Sequence, residues 1–264
     1  MWRFYGAPEH PSTGFMQLQD ILFSQGFGTR RVCTGMVQQG LVAVGQGDAA
    51  VVCRNSVEDM DPEGLRLRVQ GRDWEVHTKA YLMLHKPAGT ECSQKPSTYP
   101  SIYTLLPPPL RQRPAKGAVQ GVQAIGRLDQ DTTGLLLMSD DGQFIHRMAS
   151  PKHHLPKVYE VTAKHPLDED QVRRLLAGVV LDDDPRPVSA AACEIVGEAG
   201  VSCHLRLTLT QGKYHQVKRM LAAVGNRVEG LHRSQIGELV LPSDLAPGEW
   251  RWLQAEDLVL LKSR

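Results

Sequence analysis

The run Gly126-Arg127-Leu128-Asp129-Gln130-Asp131-Thr132-Thr133-Gly134-Leu135-Leu136-Leu137 sets a carboxylate among residues that would bury it. Ile125, Leu128 and Leu135 to Met138 are apolar enough to pack as strands, whereas Arg127, Asp129 and the Asp131 to Gly134 group are not. An acid fixed beside a turn between two buried strands is held rigidly, and nucleophilic or general-base chemistry needs a rigid carboxylate. Taken alone, the stretch also reads as an Asx-type turn in a hairpin. The rest of the chain has to decide between the two.

At 264 residues the chain can bury a substantial core in one large domain or two unequal ones. No apolar run has the length of a membrane span and no signal peptide opens the chain, so a soluble, cytoplasmic protein is expected. Five cysteines, Cys33, Cys53, Cys92, Cys193 and Cys203, form no C-x-x-C pair, and their odd number argues against a disulfide framework. Reduced, mostly buried thiols are the expectation. The formal net charge is only +1, but the charges are segregated. Lys95, Arg111, Arg113, Lys116 and Arg127 fall in a stretch without an acid, as do Arg147, Lys152 and Lys157, and again Arg206, Lys213, Lys218, Arg219 and Arg227. Acids gather at 168–170 and 182–184. Such segregation builds a basic cleft on a nearly neutral protein, and a basic cleft attracts phosphate.

The elements that would hold these residues follow from periodicity. Met1 to Met16 has no period and reads as a loose tail. Leu18, Ile21 and Leu22 share a helical face that Gly26 ends, and Thr29 can cap a second helix carrying Val32, Cys33, Met36 and Val37. Arg30 and Arg31 open that helix on its polar side, where they could meet phosphates. A short strand at 41–44 and further small strands complete a compact unit at 17–76. A second unit occupies 79–264. Its strands are expected at 81–85, 122–125, 135–138, 158–163, 190–196 and 201–210, with helices at 169–177 and 215–224. The Pro-rich 95–114 stretch is expected as a long surface loop with a helical turn near 102–106. Strands and helices alternate without βαβ glycine fingerprints, so the fold class is α+β with a mostly antiparallel sheet.

These residues resemble the pseudouridine synthases of ribosomal RNA. The run from Gly126 to Leu137 is similar to the family's catalytic motif, with Asp129 at the position of its essential aspartate. Lys86-Pro87-Ala88-Gly89 resembles its Lys-Pro-x-Gly motif, Lys157-Val158-Tyr159 its Lys-x-Tyr motif, and Gly212 to Met220 its C-terminal motif. The four matches occur in order, which is more specific than any one. The 17–76 unit is similar to the small α+β S-four-like RNA-binding domain that precedes the catalytic domain in several members, although this copy carries Gly40 to Gly45 where the family usually has Asn-Gly. Ser150-Pro151-Lys152-His153-His154 and the run from Tyr214 to Met220, with Ala223 to Asn226 beyond, resemble the members that modify one uridine of small-subunit (16S) ribosomal RNA. Large-subunit members more often show Arg-Asn-Arg-Gln.

The resemblance implies a redox-neutral rearrangement in which uracil is detached from ribose through nitrogen and rejoined through carbon. No cofactor is implied, and the chain has no phosphate-cradling loop, dinucleotide fingerprint or metal-spaced ligand cluster. His153 and His154 are adjacent and rarely would ligate one metal together. Asp129 would attack the sugar, attack the ring or abstract a proton. Lys218 stands where the family commonly has an Arg paired with the aspartate, and keeps the charge without the bidentate fork. Tyr159 would stack on the target uracil. Arg127 would fill or brace the vacancy left by the extruded nucleotide, while Lys86 and Lys157 read as phosphate or structural contacts. The partner implied is ribosomal RNA or a small-subunit assembly intermediate, bound by a monomer away from membranes. Two other classes remain open: an RNA-binding assembly factor without catalysis, and a hydrolase pairing Asp129 with Asp131.

Overall fold

Two compact units divide the chain, and the division is not a single cut. One comprises residues 1–79 with 108–121, the other 80–107 with 122–264. The computed structural model describes residues 14–115, 119–150, 155–182 and 184–262.

In the first unit, β1 (Met16–Gln17) leads into α1 (Leu18–Gln25), which buries Leu18, Ile21 and Leu22. Gly26 ends α1 with φ 90°, a conformation that disfavours any side chain. Thr29 caps α2 (Arg30–Gln38) by accepting a hydrogen bond from the Val32 amide at 3.3 Å. The two helices pack on an antiparallel sheet ordered β3 (Val51–Val52), β2 (Val42–Val44), β5 (Arg66–Val69), β6 (Arg72–Glu75), while β4 (Asp59–Met60) pairs with β1. Cys33, Val37, Val42 and Leu67 complete the core.

The Pro-rich stretch has the expected surface position, with residues 94–100 exposed, and the expected helical turn, at Ile102–Leu105, and adds two features to them. Its first half is tied down rather than loose: the Glu91 carboxylate accepts hydrogen bonds from the amides of Ser97, Thr98 and Tyr99. Those amide bonds hold its pKa down to about 2. Its second half belongs to the first unit, through α3 (Pro108–Gln112) and Arg113. Arg113 is buried, and its guanidinium donates to Gln25 Oε1 at 3.0 Å and to the carbonyls of His77 at 2.7 Å and Thr78 at 3.2 Å. A buried guanidinium must find acceptors, and the first unit supplies them.

The second unit is built on a nine-stranded sheet. Its main path runs β13 (Ala192–Ile195), β14 (His204–Leu209), β10 (Lys157–Ala163), β15 (Val228–Ile236), β9 (Thr133–Ser139), β7 (Tyr81–Lys86), β17 (Trp250–Trp252), with β8 (Gln123–Ala124) on β9 and β16 (Leu239–Val240) on β15. Every pairing is antiparallel except β15 with β9, where His232 and Arg233 lie beside Thr133 and Gly134. A separate hairpin joins β11 (Val179–Leu181) to β12 (Asp184–Val188). Two apolar clusters flank the sheet. One gathers Val161, Leu207, Leu175, Met220 and Leu221 around α5 (Glu169–Ala177) and α6 (Gln216–Ala223). The other gathers Met83, Leu135, Leu137, Phe144 and Leu253 near α4 (Gly142–Ala149) and α7 (Ala255–Leu260).

The α+β, mostly antiparallel expectation describes this fold. Several elements had no reading in the sequence: α4, the β11–β12 hairpin, and everything after α6. In α4 the signal was present, with Asp141 capping the Gln143 amide and Phe144 and Met148 one turn apart on the buried face. All five cysteines are free, but only Cys33 is buried; the others are half-exposed, against the expectation of mostly buried thiols. No helix among the described residues is long and apolar enough to cross a membrane.

Candidate active site

Asp129 sits in the loop that enters β9, and several bonds fix that loop. The Thr132 amide donates to the Asp129 carbonyl at 3.1 Å, closing a turn, and the Gly89 amide donates to the Gln130 carbonyl at 2.8 Å. Lys86 is fully buried beneath it, its ammonium donating to the carbonyls of Thr132 at 2.9 Å, Pro87 at 3.0 Å and Gln130 at 3.3 Å. Burial holds its pKa below the ordinary lysine value. Lys86 therefore corrects the phosphate-contact reading: it has no exposed donor, and its partners make it the peg of the catalytic loop. Gly134 follows with φ 109°, and a Cβ there would run into the Arg233 backbone. Close approach of β9 and β15 is what requires glycine at this position.

The facing side chains come from the start of α6. A tight turn precedes that helix, with the Lys213 amide donating to Gln216 Oε1 at 2.8 Å and His215 in the left-handed region at φ 49°. This turn brings His215 Nε2 to 3.3 Å from Asp129 Oδ1, and Lys218 Nζ to 3.4 Å from Asp129 Oδ2. Lys218 also bonds both oxygens of Asp131, each at 2.8 Å. Its position beside Asp129 was expected; the shorter bonds to Asp131 were not. Burial works to lower the Lys218 pKa, but the bonds and charges of Asp131 and Asp129 outweigh it and raise it above its ordinary 10.5. For Asp131 burial opposes ionisation, and the Lys218 hydrogen bond and charge overcome it, holding the carboxyl below its ordinary value.

Tyr159 and Lys157 come from β10, on which successive residues alternate between the sheet's faces, so i and i+2 share one side. Tyr159 is mostly buried against Leu128 in the core and also lines the pocket in front of Asp129, so packing and pocket readings both apply to it. Lys157 is half-buried in the same pocket, with one hydrogen bond to the Leu155 carbonyl at 3.1 Å. Arg127 is exposed on the pocket's edge and has no hydrogen-bond partner among the described residues. Asp129, Lys218, Tyr159, Lys157 and Arg127 are thus brought to one cavity of about 770 Å³. Arg30 and Arg31 lie in the first unit. Arg31 is exposed, whereas Arg30 is paired with Asp20 at 2.6 Å and lies over the Phe23 ring at 4.2 Å. His153, His154 and Lys152, like the tail before Gly14 and Lys116, lie outside the described residues.

His215 and Arg233 were missed as site residues by the sequence reading. His215 was visible inside the Gly212 to Met220 run, but nothing local showed that a left-handed turn would aim its ring at Asp129. Tyr214 stacks on that ring with centroids 3.8 Å apart and remains 75% exposed, extending an aromatic surface outward from the carboxylate. Chemically the site holds an accessible carboxylate braced by an ammonium and an imidazole, an aromatic face, and further cations without a phosphate-cradling loop. It suits a planar, anionic-backbone ligand whose ring enters the cavity.

Comparison with known proteins identifies relatives of the chain. Residues 80–223 match the family model described as RNA pseudouridylate synthase. The chain is 38% identical over 243 residues to the ribosomal small subunit pseudouridine synthase A of Vibrio parahaemolyticus, covering 92% of this chain and 98% of the relative. It is 44% identical over 178 residues to the protein of the same description from Yersinia pestis, covering 67% and 71%. A crystal structure of a pseudouridylate synthase superposes with a TM-score of 0.62 at 33% identity, covering 93% of this chain and 99% of that one.

Proposed function

This chain belongs to the RNA pseudouridylate synthase family, and we infer that it converts a specific uridine of small-subunit ribosomal RNA to pseudouridine with Asp129 as its catalytic aspartate. The observation that carries the reading is the Asp129 carboxylate, with one oxygen facing His215 and the other facing Lys218 over a pocket that Tyr159 lines. The uridine has to leave its stack to enter that pocket. Its ring can then lie on Tyr159 while Arg127, at the edge, meets the strand it left. The bond between ribose C1′ and N1 breaks with its electron pair going to the base, the base turns, C5 bonds to C1′ and loses its hydrogen as a proton, and N1 takes up a proton; atoms and electrons then balance without a cosubstrate. Asp131 does not fit a hydrolase dyad, because Lys218 occupies both its oxygens and holds it ionised, so it offers no proton at neutral pH.

RNA carrying tritium at uracil C5 tests the reaction, since only isomerisation releases that label. Wild-type protein should release it from small-subunit RNA. Asp129→Asn should release none while its RNA affinity stays within about threefold, because the amide keeps the shape and loses the charge. Turnover by that variant near the wild-type rate would remove Asp129 from the mechanism. Mapping modified positions in ribosomal RNA from a deletion strain identifies the target and separates a small-subunit from a large-subunit substrate.

We assign the first unit the role of an S-four-like RNA-binding domain, acting through the exposed start of α2. Over residues 1–78 seven basic residues face nine acidic ones, so bulk charge does not favour RNA there and a local face must do so. Asp20 offsets part of the Arg30 charge, which places more weight on Arg31. Arg30→Glu with Arg31→Glu should weaken RNA binding and flatten its salt dependence; unchanged affinity and slope would reduce the likeness to one of fold. We place the protein in the cytoplasm as a monomer acting on ribosomal RNA or an assembly intermediate of the small subunit, which gel filtration and co-sedimentation with subunit precursors would check.

A further inference from the structure

Two residues that line the pocket each carry a polar atom shut from solvent and without a hydrogen-bond partner among the described residues: Arg233 its Nη2 and Thr132 its Oγ1. The first is the costlier, because it belongs to a cation that is only 3% exposed. Arg233 is anchored through Nε, which donates to the Leu135 carbonyl at 2.8 Å, so its position is set and its second edge is left over. Beside it is Lys157, whose ammonium has a single carbonyl bond and whose pKa is held down by burial and by the Arg233 charge. The acid lining the pocket is engaged elsewhere, Asp129 with His215 and Lys218, and neighbouring Asp131 is bound to Lys218. Two neighbouring cations without a carboxylate, one with a buried spare donor, describe a site built for an acceptor that arrives with the ligand.

The strand register says where that acceptor lies. Arg233 is directly opposite Tyr159, on the strand next to it, so the cation borders the ring on which the uracil would stack. The chemistry says what it is. If Asp129 attacks the sugar or abstracts a proton, the pair of the C1′–N1 bond leaves with the base and spreads to O2 and O4. If Asp129 adds to the ring, the displaced pair also moves onto a carbonyl oxygen. In every route the base becomes more negative at its carbonyls before C5 returns the pair to C1′ in the new bond and loses its proton.

We propose that Arg233, with Lys157 beside it, is the anion-stabilising end of the pocket, its free Nη2–H donating to a uracil carbonyl oxygen that gains charge as the bond to ribose breaks. This rests on the synthase reading, and Arg233 lies beyond the 80–223 segment that matches the family model. A flanking phosphate is the competing acceptor, and the two differ in what they change. A uracil contact that strengthens with charge acts on the chemical step, whereas a phosphate contact acts on affinity and its salt dependence.

The test measures single-turnover tritium release at saturating protein together with RNA binding at several salt concentrations, for full-length wild type, Asp129→Asn, Lys157→Met, Arg233→Lys and Arg233→Met. Expected is a loss of about 100-fold in rate for Arg233→Met and about tenfold for Lys157→Met, with affinity and salt slope unchanged and Arg233→Lys recovering part of the rate. The proposal is overturned if Lys157→Met and Arg233→Lys react at the wild-type rate, whether or not Arg233→Met folds. It is also overturned if the variants keep the saturating rate and instead lose affinity with a salt slope smaller by about one, the signature of a phosphate contact. Wild-type protein that binds RNA without releasing label would defeat the synthase reading itself, an outcome distinct from either.

Discussion

Lys218 is shared by two carboxylates, and the sharing decides what its replacement should do. Its short bonds go to Asp131 and its longer contact to Asp129, so Asp131 holds the ammonium at the place where Asp129 needs it. Because its pKa in the folded protein is raised above the ordinary 10.5, the ammonium keeps its charge through neutral and mildly alkaline pH and loses it only as pH rises through the higher folded value. The rate should therefore show no alkaline decline from this group through the neutral and mildly alkaline range. Lys218→Arg should keep appreciable activity, and Lys218→Met should lower the single-turnover rate by about 100-fold or more with little change in affinity. A fully active Lys218→Met would show that His215 alone suffices to brace Asp129.

Elements place these residues through backbone contacts as much as through side chains. The loop carrying Asp129 is pegged from β7 by Lys86, and its exit into β9 depends on the close approach of Gly134 to Arg233 on β15. An added Cβ at Gly134 meets backbone, which cannot swing aside, and the φ of 109° is strained for any side chain. Gly134→Ala should cost about 2–4 kcal/mol of stability in the second unit and lower activity even where the protein still folds. Thermal unfolding followed beside tritium release would check both, and a variant with wild-type stability and rate would show that the two strands can separate freely. The start of α6 works in the same way: the left-handed His215 lets one short turn aim both His215 and Lys218 at the same carboxylate.

At the scale of the whole molecule, the first unit recruits residues 108–121 from the middle of the sequence that builds the second. Arg113 is the tie, since its guanidinium is the buried partner of two carbonyls and of Gln25. Arg113→Met would leave those carbonyls unpaired, at a cost of about 1–3 kcal/mol, and should release the segment from its unit. Limited trypsin digestion reports this as faster cleavage at Arg111; an unchanged digestion pattern would mean that Leu110 and the rest of α3 hold the segment without the guanidinium. Removing residues 1–78 would strip the same partners, so such a truncation tests more than the loss of two helices and a small sheet.

The four motifs around Lys86, Asp129, Tyr159 and Lys218, the helices at 18–25, 30–38, 169–177 and 216–223, and the antiparallel α+β class were legible because each is local: a spacing, a cap, an apolar face. What the sequence could not show was long-range. The strand Val228–Ile236 lies inside the sheet, yet Glu229, His232, Arg233, Ser234 and Gln235 interrupt its apolar pattern, because a strand that borders a polar pocket is not free to be apolar. Arg113 looked like one more surface cation in a Pro-rich loop, since its acceptors at Gln25 and His77 lie far away in the chain. Lys86 read as a phosphate or a structural contact, because a lysine's type does not tell whether its ammonium faces water or three carbonyls. Residue type and spacing set which groups could do the chemistry. The fold assigns which cations brace the aspartate, which peg the loop beneath it, and which is left buried with an unused donor, because a charge takes its role from its neighbours and its solvent.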